Sequence, residues 1–346
     1  MSFLPFCWLV PGDPGPFPAP FNRTFDDFER FKKWFTHLTS IKNPEKKDAI
    51  QAIVLTYETI KKENTEIFSI NCIEVKPRNP LHQRMRVDIL NTIYKIKKYH
   101  DLPLSPPINE DIIENIIGRI LVYAHLNGIE YHKGFCELVL PIMHVYYYGV
   151  LQSEVLEYSM PFIEAIVADS FVRLMSSPLY NHYDIFPPSK SINSLLNQLI
   201  EYIKPYQIYQ MIKNGKIEPQ FFASRWIKTI FIQDIDFSEV IKIWDYLFEK
   251  SVLKISSSQS LSLSQSSLNS SQKIYPSSSM QEISHPFNKF HHNITLLCAA
   301  CVLEREQACK ELNAYEYLEK IQEIDDLTAE TIISRIKSLN IDPDLL

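Results

Sequence analysis

The chain has 346 residues, of which 45% are apolar and 22% charged, and its formal net charge is −6, from 35 Lys and Arg against 41 Asp and Glu. Because neither an excess nor a long run of basic residues is present, nucleic acid and anionic membrane are excluded as default partners. The longest uncharged apolar stretch, residues 138–152, is shorter than the ~18 residues of a membrane-spanning helix, so we expect no transmembrane segment.

The chain opens with a proline-rich stretch and continues with segments of helical periodicity. Six of the first twenty residues are proline, which predicts an extended arm over residues 1–20 and one folded domain over residues 21–346. Thr24 with Asp27 is a capping pattern, and aromatic residues at three- and four-residue spacing over residues 25–38 predict an amphipathic helix. Further helices are predicted at about residues 46–60, 86–99, 112–124 (after Asn109 as the cap), 134–151, 160–175, 192–203 and 238–248.

A serine-rich segment interrupts this pattern late in the chain. Between residues 256 and 272, ten of seventeen residues are serine, and such a composition buries too little apolar surface to offset the entropy of ordering. We predict a disordered insertion at residues 254–284. Apolar residues 294–303 and two final helical patterns, 304–324 and 327–339, follow it. Because no strand-like alternation stands out, the predicted fold class is all-α.

The sequence contains little that resembles a metal-binding or cofactor-binding motif. Cys298 and Cys301 have the spacing of zinc or redox pairs, and His291 and His292 lie nearby. The pair stands in an apolar helical run, however, where cysteine behaves as a small hydrophobic residue. With only seven glycines, no Gly-rich phosphate loop can be written. We expect no cofactor and no metal, and the scattered cysteines and the lack of a secretory signal predict reduced thiols in a cytoplasmic protein.

Four separated blocks contain the most informative residues. They hold Asp88, Asn91 and Thr92; Tyr131, Lys133 and Gly134; Arg225 and Trp226; and Trp244 and Asp245. In this order they resemble the TBC domain of Rab GTPase-activating proteins, whose pattern is Ile-x-x-Asp-x-x-Arg-Thr, Tyr-x-Gln-Gly-Met, an Arg-Trp block and a Trp-Asp pair. The resemblance covers about residues 80–340 and implies an all-helical, roughly V-shaped fold. At the N-terminus the match is poorer, and we align Trp8 with the tryptophan of the family's opening Arg-x-x-x-Trp helix.

The resemblance also implies a mechanism, and this chain departs from it. Family members supply an arginine finger from Asp-x-x-Arg and a glutamine finger from Tyr-x-Gln to a bound GTPase; the first stabilises transition-state charge and the second orients water. The two finger positions hold Asn91 and Lys133 here. Asparagine is neutral and too short to replace a guanidinium, and lysine offers no amide. We therefore predict weak or lost GTPase activation.

The other motif residues are predicted to be structural. Asp88 and Arg225 are interpreted as members of a buried polar network, and Trp226 and Trp244 as core anchors. This interpretation allows the fold to persist without the activity.

Three functional hypotheses remain open. In the first, the chain stimulates hydrolysis weakly or not at all and acts as an adaptor. Its partner is a Rab-family GTPase, which brings its own GTP and Mg²⁺, or a membrane-trafficking complex. In the second, it activates the GTPase through Lys133, Arg84 or Arg86. In the third, it is a helical scaffold without a GTPase partner, whose contacts come from residues 25–38 and the proline-rich arm. The first two imply a cytoplasmic protein that reaches endomembranes through its partners.

Overall fold

The computed structural model describes residues 25–39, 41, 47–68, 80–99, 110–151, 160–176, 190–250, 287–309 and 312–339. Within these ranges the regular elements are fourteen α-helices and one 3₁₀ turn, without a strand, which confirms the all-α prediction. The helices are α1 (Phe25–Thr39), α2 (Lys47–Glu63), α3 (Thr65–Phe68), α4 (Pro80–Tyr99), α5 (Glu110–Leu126), α6 (Phe135–Leu151), α7 (Met160–Met175), α8 (Lys190–Ile203), α9 (Gln207–Lys213), α10 (Gln220–Thr229), α11 (Phe237–Lys250), α12 (Phe287–Glu306), α13 (Ala314–Gln322) and α14 (Ala329–Ser338). The proline-rich arm, the segment 254–284, Thr24 and Asn109 lie outside the described residues.

Several boundaries differ from the sequence-based prediction. The short helices α3, α9 and α10 were not predicted, and α4 begins at Pro80, a residue that the first turn of a helix tolerates. The predicted helix over residues 304–324 is wrong, because α12 ends at Glu306 and α13 begins after Asn313. A capping box explains why a new helix begins after Asn313. The Asn313 side chain accepts a hydrogen bond from the backbone N–H of Glu316 at 3.2 Å. In return, the Glu316 side chain accepts one from the backbone N–H of Asn313 at 3.1 Å.

The helices pack in two consecutive groups. In the first group α6 and α7 are central and contact α1, while α5 and α2 pack on α7 and α4 packs on α5 and α6. In the second group the buried helix α12 is surrounded by α8, α10, α11, α13 and α14. Contacts of α1 with α11 and of α6 with α10 join the groups. The approach of α1 to α6 is so close that a Cβ at Gly149 would overlap the side chain of Phe31.

The junction of the two groups is built on Asp245. Its carboxylate accepts hydrogen bonds from Trp34 Nε1 at 2.7 Å and from Arg30 Nε at 2.9 Å. The indole rings of Trp34 and Trp244 stack with their centroids 5.6 Å apart. One residue of α11 therefore holds both a charged and an aromatic side chain of α1.

A second polar cluster lies inside the first group of helices. The buried Glu164 of α7 accepts two hydrogen bonds from the Arg119 guanidinium, at 2.7 and 2.6 Å, and one from the Tyr57 hydroxyl. Lys61 lies 3.7 Å away. Burial, followed by the neighbouring Glu164, raises the pKa of Tyr57, so this hydroxyl remains a donor. The cluster ties α2, α5 and α7 together.

We expect the substitution Glu164→Gln to lower the free energy of unfolding by about 3 kcal/mol, because the largely buried guanidinium of Arg119 loses its anionic partner. Urea denaturation measures the change. The matched control is Glu58→Gln on the exposed side of α2, whose carboxylate lies 3.7 Å from Lys61; it should change the free energy by less than about 1 kcal/mol. Equal effects of the two substitutions would contradict the assigned role of Glu164.

His144 of α6 packs between aromatic rings near the junction. Its ring centroid lies 4.8 Å from that of Tyr148 and 5.2 Å from that of Phe237. Its buried Nδ1 makes no hydrogen bond to the described residues. Burial lowers the pKa of His144 to about 4. The charge of Asp27 raises this pKa by a smaller amount, and the charge of Arg30 lowers it further.

This depressed pKa predicts a pH dependence of stability. Above the ordinary histidine pKa of about 6.5 the ring is neutral in both states; as the pH falls toward 4, the unfolded chain binds a proton that the folded chain excludes. Between pH 7.5 and pH 5 the wild type should therefore lose about 2 kcal/mol more unfolding free energy than His144→Gln. Replacing the exposed His125 by glutamine should leave the wild-type dependence unchanged, and a His144→Gln variant that retains it would refute the assignment.

Candidate functional site

A hydrogen bond joins the two motif segments that contain the predicted finger positions. Tyr131, which lies between α5 and α6, donates through its hydroxyl to Asp88 Oδ2 of α4 at 2.6 Å. Tyr131 is buried, and its ring meets that of Phe135 edge to face at a centroid distance of 5.9 Å. The hydrogen bond therefore fixes the segment before α6 against α4, although the two residues are 43 positions apart in the chain.

Cys136 and Thr92 complete this contact on the buried side. The Cys136 Sγ lies 3.7 Å from the Tyr131 hydroxyl, and the Thr92 hydroxyl also hydrogen-bonds the thiol. Burial raises the pKa of the Cys136 thiol to about 12, although the hydrogen bonds from Tyr131 and Thr92 oppose the increase. Burial, together with Cys136 and Asp88, raises the pKa of Tyr131 as well. Both groups are neutral near pH 7, so the contact is a structural hydrogen-bond cluster without a thiolate nucleophile.

The two predicted finger positions are exposed on either side of this contact. Asn91 lies three residues after Asp88, one helical turn along α4, and its side chain is exposed. Lys133 lies two residues after Tyr131 in a turn and is also exposed. The next residue, Gly134, has a φ of +102°, a conformation that glycine adopts without strain, and it is buried at the start of α6.

The two predicted substitute cations differ in their environment. Arg84 lies seven residues before Asn91 on α4, two helical turns away and on the same side of the helix, and it is exposed. Arg86 is half-buried on the same helix and is engaged in an interaction of its own. Of the two arginines, Arg84 is the one that a partner could reach freely.

The remaining motif residues lie in the second group of helices. Arg225 of α10 pairs with Asp234, so the prediction that placed Arg225 in one network with Asp88 is wrong: Asp88 bonds Tyr131. Arg225 is also exposed, whereas Asp234 is buried. Trp226 and Trp244 are buried, as predicted, and Trp244 Nε1 donates to the carbonyl of Ile230 at 3.2 Å.

The turn after α10 has an unusual backbone. Ile230, with a φ of 48°, and Phe231, with a φ of 67°, are both left-handed and both buried. Neither is a glycine, so the conformation is strained. The backbone N–H groups of both residues point to the carbonyl of Trp226.

Sequence reasoning missed the residue that links this turn to the site. Gln233 donates through its side-chain amide to the buried Glu137, on the first turn of α6 and three residues after Gly134. Its neighbour Asp234 pairs with Arg225. No local signal identifies Gln233, because its partner lies 96 residues away.

The described residues contain no cluster of three or more His, Cys, Asp or Glu side chains that could hold a metal ion. Cys298 and Cys301 are buried within α12 as free thiols, and burial raises the pKa of both. The helices of the described part are also too short or too polar for any of them to cross a bilayer.

Comparison with known proteins defines the family. The family model of the Rab-GTPase-TBC domain matches residues 30–268, more than two thirds of the chain. This chain belongs to that family. The match begins within α1 at Arg30, and Arg30 and Trp34 have the Arg-x-x-x-Trp spacing and both bind Asp245. This favours Trp34 over Trp8 as the tryptophan of the family's opening helix.

Individual relatives agree with this assignment. TBC1 domain family member 13 of Mus musculus and that of Homo sapiens are each 29% identical to this chain over 157 residues, which cover 44% of this chain and 37% of the relative. TBC1 domain family member 5 homolog B of Dictyostelium discoideum is 35% identical over 65 residues, 19% of this chain and 6% of that protein. The chain thus aligns with little more than a third of the length of the first two relatives.

A solved structure shows the same fold. The crystal structure of the Ypt/Rab-GAP domain of Gyp1p superposes with a TM-score of 0.56 at 16% sequence identity, covering 90% of this chain and 86% of that one. At this identity the likeness concerns the fold alone.

The site geometry predicts the effect of removing one hydroxyl. Tyr131→Phe should lower the free energy of unfolding by about 1 kcal/mol, because Asp88 loses the hydrogen bond that joins α4 to the segment before α6. Urea denaturation of the variant and of the control Tyr315→Phe, at an exposed tyrosine of α13, measures the difference. A neutral effect at residue 131 would show that the bond does not stabilise the site.

Proposed function

We propose that this chain binds a Rab-family GTPase and regulates it with weak or absent stimulation of GTP hydrolysis. Membership of the Rab-GTPase-TBC domain family supports the regulatory role. The single observation that carries the finer proposal is the pair of exposed side chains, Asn91 and Lys133, on two segments joined by the Tyr131 to Asp88 hydrogen bond. The two segments are held together, but the side chains at the two positions differ from the arginine and glutamine of the family pattern.

The chemistry of the two positions explains the proposed loss. Phosphoryl transfer spreads negative charge over the transferring group, and a guanidinium at that point contributes about 10³- to 10⁵-fold to the rate. The amide of Asn91 carries no charge, and its side chain is about three atoms shorter than that of an arginine, so it cannot place a donor where a guanidinium would reach. Lys133 supplies a charge but not the amide that would hold the attacking water. The partner would supply its own GTP and Mg²⁺.

A second candidate function rests on Arg84. This exposed arginine lies on the same side of α4 as Asn91, two turns earlier. If the GTPase docks farther toward the N-terminus of α4, Arg84 supplies the guanidinium and the chain is an active GTPase activator. Lys133 would then be an additional cation at the interface.

The proposal is tested by single-turnover GTP hydrolysis with a panel of purified Rab GTPases. The native chain should leave the hydrolysis rate within about twofold of the intrinsic rate. The double variant Asn91→Arg with Lys133→Gln restores both family side chains without changing the net charge, and it should accelerate at least one GTPase by about 10³-fold or more. The matched control, Asn91→Lys with Lys133→Gln, has the same charge but no guanidinium and should stay near the intrinsic rate.

Acceleration by the native chain would contradict the proposal and favour the second candidate. In that case Arg84→Ala and Lys133→Ala, measured separately, identify the cation responsible. If neither the native chain nor the double variant accelerates or binds any GTPase of the panel, the scaffold hypothesis replaces both.

A further inference from the structure

An apolar surface lies where α13 packs on α10. Phe221 of α10 is 53% exposed and Tyr315 of α13 is 75% exposed. The side-chain amide of Gln322 donates to the Phe221 carbonyl at 2.7 Å, so the end of α13 lies beside the start of α10. Tyr315 and Gln322 are seven residues apart and therefore lie on the same side of α13. Leu318, between them on that side, is partly buried against the core. These four residues are named here the α13 surface.

Carboxylates border the α13 surface. Residues 314–326 contain five acidic residues and one lysine, a net charge of −4 in a chain whose net charge is −6. The exposed Glu319 lies one helical turn after Tyr315, and the exposed Glu218 precedes Phe221 by three residues. The surface therefore has an apolar centre and an acidic border.

Most of this negative charge is not neutralised within the molecule. Two of the five carboxylates in residues 314–326 form ion pairs, one with Lys320 and one with Arg305. The other three are exposed and have no ion-pair partner among the residues that the structure describes: Glu316, Glu319 and Asp325. These carboxylates are available to a cationic partner.

We propose that the α13 surface docks a segment of another protein in which apolar side chains are flanked by lysine or arginine. Phenylalanine and tyrosine are enriched at protein interfaces, and covering Phe221 and Tyr315 removes apolar area from water. The bordering carboxylates select the charge of the partner, because cations placed beside the apolar contact are attracted and anions are repelled.

The charges favour a different protein over a second copy of this chain. In a two-fold symmetric pair the same surface meets itself, so the carboxylates of one copy would approach those of the other. Like charges at the border oppose that arrangement. An anionic membrane or a nucleic acid is repelled for the same reason.

The other parts of this chain do not supply the required charge. Residues 1–24 contain one acidic and one basic residue, and residues 340–346 contain two acidic residues and no basic one. Residues 251–286 contain two lysines and one glutamate. None of these segments is basic enough to neutralise a border with a net charge of −4, so we assign the surface to a separate protein.

The α13 surface is separate from the residues on which the proposed function rests. The helix α13 packs on α10 and α12, whereas the predicted finger positions lie on α4 and before α6. The helix α13 also lies outside residues 30–268, which the family model matches. Docking at this surface therefore requires no GTPase, and it is tested without one.

The experiment measures the binding of two fluorescent peptides of about 16 residues by anisotropy. The first peptide has leucines on one side of a helix and lysines on the other, and the second has glutamates in place of the lysines. The wild type should bind the lysine peptide at least about tenfold more tightly than the glutamate peptide. Raising the NaCl concentration from about 50 to about 300 mM should weaken binding of the lysine peptide by about tenfold, because salt screens the exposed carboxylates.

The apolar centre is tested with the variant Phe221→Ser with Tyr315→Ser, which should weaken binding of the lysine peptide by about tenfold or more. The matched control is Leu55→Ser with Tyr94→Ser, two residues that are 59% and 66% exposed on α2 and α4. It should bind like the wild type. All four positions are exposed, and thermal unfolding of each variant checks that the fold is retained.

The acidic border is tested with Glu319→Gln with Asp325→Asn, which should weaken binding of the lysine peptide by about fivefold. The matched control is Glu58→Gln with Glu63→Gln, which makes the same change of net charge at exposed positions on α2. It should change binding by less than about twofold.

The proposal is overturned if the wild type binds the lysine peptide no more tightly than the glutamate peptide. It is also overturned if each test variant and its control change binding equally, because the peptide then responds only to the net charge or to exposed apolar side chains in general. A wild-type dimer in ultracentrifugation that the Phe221 and Tyr315 variant dissociates would assign the surface to a second copy instead. None of these measurements includes a GTPase, so a failure of the proposed function leaves their outcome unchanged.

Discussion

The carboxylate of Asp245 is the interaction on which the arrangement of the molecule depends. It accepts hydrogen bonds from Arg30 and Trp34 of α1. The ring of its neighbour Trp244 stacks on the ring of Trp34. One residue therefore satisfies a buried indole N–H and a guanidinium and joins the first group of helices to the second. The Trp-Asp pair is structural in this chain, since it sets where α1 and α11 lie and, through α6, where the site lies.

The contacts around the site are separate from the two side chains at which we propose that the chemistry has changed. The Tyr131 to Asp88 hydrogen bond, the buried Cys136 and Gly134 all serve to position two exposed side chains, and none of them depends on what those side chains are. A change at residue 91 or 133 therefore costs little stability. Under the proposed function, the fold therefore tolerates the loss of a reactive group at either position.

Most of the long helices could be predicted from the sequence, but the contacts between distant residues could not. Long helices such as α1 and α5 were predictable because their apolar residues recur with the period of a helix, whereas only the apolar stretch 294–303 of α12 stood out in the sequence. The ten-residue α10 was missed because its end is set by the conformation of Ile230 and not by a stop residue. Glu164 and Gln233 were missed because their partners lie 45 and 96 residues away, and spacing within a segment does not report such contacts. Asp88 and Tyr131 were found as motif residues, but their bond to each other was not.

The left-handed turn at Ile230 and Phe231 has a consequence for the order in which the molecule assembles. Each left-handed residue that is not glycine costs on the order of 1 to 2 kcal/mol in an isolated chain. Burial of both side chains and the hydrogen bond from Trp244 to Ile230 offset this cost only after α10 and α11 have packed. We therefore expect the turn to form late, together with the long-range hydrogen bond from Gln233, which follows it, to Glu137.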